Sequence, residues 1–168
     1  DHENEILDGA YDQLSRARWV SDEMVRRLEA AVSEPGSHLG IARSHFFGGI
    51  AILTLSDMFR EVTFNNQPPV TPAQAIDSAI VRFKQAAAIA AAAGDTHLEA
   101  AAHGSLARAY RSMYFEELHH GSGEDRTLFQ RAEAAAAEAL SLDANFNMVV
   151  RYEPPGSGNG VYNVLNLG

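Results

Sequence analysis

Two stretches of this chain, "AAHGSLARAYRSM" (101–113) and "RAEAAAAEALSLDANF" (131–146), place small side chains a turn apart along helical segments. Alanine and glycine at that spacing let two helix axes approach to about 8 Å, and a nearby tyrosine or phenylalanine fills the groove that results. "SHFFGGIAILTL" (44–55) carries the same signal, because its adjacent Gly48 and Gly49 fall in mid-helix. Two glycines there cost roughly 1–2 kcal/mol of helix propensity. The expected compensation is a neighbouring helix lying on bare backbone. A chain built this way folds by stacking helices closely in pairs.

Periodicity and punctuation place five helices. Ile6, Ala10, Leu14, Ala17, Met24, Leu28 and Ala31 recur at three- and four-residue steps and predict an amphipathic helix over about 5–32, stopped by Pro35 and Gly36. Ser37 is the expected cap of a second helix, about 37–60. "FNNQPPV" (64–70) reads as a plain loop. Thr71 as N-cap, Pro72 at the first helical position and Gln74 three residues after the cap form a capping box, which starts a third helix running to Ala93. Asp95 or Thr96 caps a fourth, about 96–118, and Asp125 a fifth that ends near Leu142. Beyond Asn145 the chain turns β-branched and aromatic, with apolar runs at 148–152 and 161–165 around "PPGSGNG", as an extended tail or small hairpin would. The expected organisation is a helical domain over 1–144 and an extended tail over 145–168. A lone hairpin is marginal in water, so the tail needs a partner surface.

Composition removes several functions. A net charge of −9 with no basic face argues against nucleic acid and against an anionic membrane surface. The chain has no cysteine, which excludes disulfides, thiol catalysis and thiolate metal sites. The start "DHENEILDGAYDQL" is polar and unlike a leader. The most apolar run, "FFGGIAILTL", is too closely flanked by Ser44, His45 and Ser56 to be read as a span, so no transmembrane segment is expected and the chain is expected to be soluble.

The spacing of Leu106, Ala107 and Tyr110, answered by Ala132, Ala135 or Ala136, and Ala139, resembles a tetratricopeptide helical hairpin. Gly48, Gly49 and Ala51 opposite Ala75, Ala79, Phe83 and Ala86 suggest a second hairpin. The predicted fold class is therefore all-α, a tetratricopeptide-like stack of about five helices with a short extended tail; an ordinary alanine-rich bundle is the alternative. An ordered series of motifs is also similar to the SusD/RagB family of outer-membrane nutrient-binding proteins. "ARSHFFGGIAILTLSDMFREVTF" resembles that family's second-helix region and "TPAQAIDSAIVRFKQAAAIA" its next helix. "AAHGSLARAYRSM", "RAEAAAAEALS" and "YEPPGSGNGVYNVLN" resemble the elements that follow. The resemblance spans roughly residues 10–165, the amino-terminal, repeat-bearing half of a family member. It implies a non-enzymatic cell-surface lipoprotein that captures a glycan or peptide beside a TonB-dependent outer-membrane transporter. "FREVTF" lacks the Gly and Pro of the family's exit motif, the lipid-bearing cysteine is missing, and no binding residue carries over.

No sequence pattern points to a catalytic or cofactor-binding set. "EELHHGSGED" gathers Glu116, Glu117, His119, His120, Glu124 and Asp125, a group that could hold a divalent ion. Its spacing fits no standard metal signature, and histidines at a helix end followed by acids at the next start explain it as well. His45 and His103 occupy comparable places in the second and fourth helices, where a buried, hydrogen-bonded histidine is expected. Trp19, Tyr152 and Tyr162 are the candidate ligand-stacking residues. The expected partners are a transporter or copies of the chain itself. In the latter case the protein is a structural subunit, assembled by helix stacking and exchange of the tail.

Overall fold

Side chains fix most helix starts. Thr71 Oγ1 accepts from the Gln74 amide at 3.3 Å while Gln74 Oε1 accepts from the Thr71 amide at 2.9 Å, so the capping box forms as expected. Asp95 accepts from the Leu98 amide and Asp125 from the Thr127 amide, each satisfying a donor that the following helix leaves free. Gly94 ends its helix at φ +73°, a left-handed conformation in which a side chain is strained.

The computed structural model describes residues 2–146 apart from 66 and 122, with side chains from residue 7 onward. Among the described residues the protein is all-helical, with five α-helices and no strand: α1 (His2–Ala31), α2 (Leu39–Met58), α3 (Pro72–Ala93), α4 (Thr96–His120) and α5 (Arg126–Leu142). The expected tail lies outside the described residues apart from Asn145 and Phe146, which form a turn closing on Asp143. Each helix packs on its chain neighbours, and α2 also touches α4, so the architecture is repeat-like. Asp57 near the end of α2 ties the two hairpins, accepting from Arg108 at 2.6 Å and Ser112 at 3.2 Å on α4.

Three sequence expectations are corrected. Ser37 does not cap α2; Pro35–Ser37 forms a 3-10 turn, and His38 stands at the cap without a side-chain bond. The inward stripe of α1 is not the apolar one: Ala17 and Met24 are exposed, and Arg18 and Ser21 are its buried residues. The sequence also predicted no membrane-length apolar segment, yet α2 is long and apolar enough by length and composition. About 61% of that stretch is buried within the protein, because a helix wrapped by α1, α3 and α4 is apolar on most of its circumference.

The glycine pair acts as the sequence suggested. A Cβ on Gly49 would lie 2.6 Å from Phe83 Cε1, and the Phe83 side chain is fully buried. Alanines at 75, 79, 86 and 90 of α3 and at 100, 102 and 109 of α4 have no exposed surface, which brings those two helices together as well. Gly104 repeats the device on a smaller scale: a Cβ there would meet the Phe146 ring at 2.9 Å.

Gly49→Ala is expected to destabilise the protein by about 1–2 kcal/mol, overpacking against an immovable ring outweighing the ~1 kcal/mol gain in helix propensity. Gly9→Ala, at a helical site with nothing within 4 Å of the new methyl, is expected to be neutral or stabilising. Urea unfolding of both variants checks the pair. Equal behaviour would show that Phe83 does not rest on Gly49.

Candidate functional site

Tyr11, Ser15, Arg18 and Asp22 recur at helical spacing along one face of α1. The segment between α2 and α3 folds back over that face. Val62 and Val70 pair across it as an isolated antiparallel bridge, with amide bonds of 3.1 and 2.8 Å, and Val62 is fully buried. Tyr11 packs edge-on to Phe59 at 5.0 Å between ring centroids. Its hydroxyl accepts the Thr63 amide at 3.0 Å and shares a hydrogen bond of 2.9 Å with the Thr63 hydroxyl. Asn65 sits at φ +53°, a left-handed conformation that asparagine tolerates better than most residues. There it accepts from Arg18 Nη2 at 2.6 Å.

Arg18 is the centre of this arrangement, with only 6% of its surface exposed. Its Nη1 donates to Asp22 at 2.7 Å and its guanidinium lies 4.9 Å from the centre of the Phe64 ring. Arg82 of α3 reaches the same carboxylate from the other side, past Gly48 of α2; a Cβ on Gly48 would collide with the Arg82 guanidinium and touch Ser21. Two guanidinium groups thus share one carboxylate. Burial pushes both arginine pKa values below their ordinary range, and the charge of Arg18 lowers that of Arg82 further. Ser15 Oγ, Arg18 Nε and Arg82 Nη1 are buried without a hydrogen-bond partner among the described residues.

Tyr11, Ser15, Arg18, Trp19, Thr63 and Asn65 line an open cleft of about 560 Å³. Trp19, the one ligand-stacking candidate within the described residues, stands at this cleft with 54% of its surface exposed. Tyr152 and Tyr162 lie outside the described residues. Sequence reasoning missed Arg18, Ser15 and Asn65, and treated 64–70 as a plain loop. The available signal was Asn65 and Asn66, residues suited to left-handed turns, directly after an aromatic residue in a long interhelical connection.

The histidine readings resolve differently. His119 and His120 are exposed on the last turn of α4, and Phe115 stacks on the His119 ring. Glu124 instead accepts from Tyr114 and Arg126, and Asp125 caps α5. No group of three His, Asp or Glu side chains among the described residues is placed to hold a metal ion. His103 is only partly buried. His45 is buried as expected, but its Nδ1 has no hydrogen-bond partner among the described residues, which corrects the expected hydrogen-bonded histidine. Comparison with protein-family models, curated proteins and solved structures finds no match.

Two outcomes follow from this chemistry. Asp22→Asn leaves two guanidinium groups facing each other, and should cost about 2–3 kcal/mol, less than the ~3–5 of a fully buried pair because Asp22 is partly exposed. Adding Arg82→Met should recover part of that loss. A double variant no more stable than Asp22→Asn would show that the arginines are not coupled. His45 gives a pH signature, since burial lowers its pKa below the usual 6.5 and outweighs the opposing charge of Glu29. The unfolded chain then takes up a proton before the folded one does. Stability from this group is constant above about pH 7 and falls as pH drops through about 6.5 toward 5. Unfolding at pH 7.5 and 5.5 should show a smaller acid loss in His45→Gln than in the parent; an unchanged loss would exclude His45 as its source.

Proposed function

We propose that this chain is a non-enzymatic binding module: a tetratricopeptide-like stack of the SusD-like kind, which captures a glycan or peptide at the cell surface for a TonB-dependent outer-membrane transporter. The ordered motifs over residues 10–165 support the family reading, and the repeat-like stacking agrees with it. The observation that carries a binding role is Trp19, more than half exposed beside a cleft that also presents buried Ser15 and Arg18. An exposed indole next to fixed polar groups offers a flat apolar face together with directional contacts, the usual make-up of a small-ligand site.

A second reading has its own observation. Val20 and Met24 of α1 and Phe47 of α2 are exposed at one end of the stack, and Phe129 and Leu140 of α5 at the other. A repeat array normally covers its end helices with polar residues, so apolar ends suit a structural subunit that stacks on further copies.

One preparation tests both. Trp19 is the only tryptophan in the chain, so its emission reports the cleft without background. The binding module is expected to run as an 18.2 kDa monomer in light scattering and to change emission saturably with a panel of soluble oligosaccharides and short peptides. Polymers with unresponsive Trp19 emission would replace it with the assembly subunit.

A further inference from the structure

We infer that the cleft beside Trp19 is specific for acidic sugars, with the ligand's carboxylate held at Arg18 and Ser15 while its ring lies on the indole. This rests on the binding reading above and names the ligand class of that site.

Charge is the first support. In a chain of net charge −9, the groups behind this cleft carry a local positive surplus, because Arg18 and Arg82 share the single carboxylate of Asp22. Asn65, the other acceptor on Arg18, is neutral. A neutral ligand would leave that surplus standing in a partly desolvated place, whereas a carboxylate would balance it.

The free donors are the second. Arg18 is more than nine-tenths buried, its Nε has no partner among the described residues, and it is held in place by Asp22, Asn65 and the Phe64 ring. The Ser15 hydroxyl, one turn away on the same face of α1, is also unpartnered among the described residues. A preorganised guanidinium edge beside a hydroxyl suits a planar carboxylate, which accepts two hydrogen bonds from neighbouring directions.

The ring requirement comes from Trp19, whose exposed indole borders the same cleft as the two donors. Tyr11 and Thr63 hydroxyls and the Asn65 amide line the remainder and can meet sugar hydroxyls. An acid without a ring would use the donors and leave the indole uncovered; a neutral sugar would use the indole and leave the donors unmet.

The test is titration of Trp19 emission in the full chain with three probes: trigalacturonate, neutral galactotriose and triglutamate. Trigalacturonate is expected to give a saturable change and to bind at least about tenfold more tightly than galactotriose, the scale of one charge-assisted hydrogen bond. Ser15→Ala leaves the arginine network in place and should weaken trigalacturonate several-fold without altering the response to galactotriose. Equal binding of the two sugars would overturn the acidic assignment and leave the binding module standing. Triglutamate binding as tightly as trigalacturonate would overturn the sugar assignment. Silence with all three probes would overturn the inference, while a response to other members of the wider panel would still uphold the module.

Discussion

Phe83 lies on the bare backbone of α2 at Gly49, and that contact sets how close α2 and α3 can be. Because the next residue back is also glycine, Arg82 can pass α2 and meet Asp22 on α1. Three consecutive helices are then locked around one notch, by a ring on one side of it and an ion pair on the other. Any side chain in that notch would push α3 outward and withdraw Arg82 from Asp22. The orientation of α1 depends on this closure, and with it the side of α1 that receives Tyr11, Arg18 and Trp19.

The cleft is costly to build. It buries a guanidinium and a serine hydroxyl with donors unmatched among the described residues, and it holds Asn65 in a left-handed conformation. Each of these opposes folding by an amount comparable to a lost hydrogen bond or a strained residue. The alanine-lined contact of α3 with α4 contains no such compromise, and its residues are fully buried. Stability is therefore concentrated in the middle of the stack, and the polar compromises gather at the α1 end, where a ligand would compensate them.

The local grammar of the chain was legible where local physics decides the outcome. Thr71 with Gln74, Asp95, Asp125 and Gly94 mark helix ends through bonds within a few residues of themselves, and all act where their spacing placed them. The small-residue stripes likewise named the close helix contacts, down to Gly49 opposite Phe83. What the sequence hid was tertiary. The apolar period of α1 placed Ala17 and Met24 inside, but the returning segment of Val62 and Phe64 covers the adjoining face and makes Arg18 the buried residue instead. Trp19 was recognisable as a stacking residue by type. Its neighbours were not, because Thr63 and Asn65 reach it only through a fold-back that no periodicity encodes.

That fold-back is the central structural claim, and the Thr63 amide reports it directly. Thr63 is an exposed residue outside any helix, and its amide donates to the hydroxyl of Tyr11, 52 positions earlier in the chain. Hydrogen exchange of this one amide, followed by NMR in the parent and in Tyr11→Phe, isolates the contact from the rest of the structure. Slow exchange in the parent that becomes fast in Tyr11→Phe is the expected result. Exchange at the free-peptide rate in the parent would mean that the segment does not close over α1, and the cleft beside Trp19 would not exist as described.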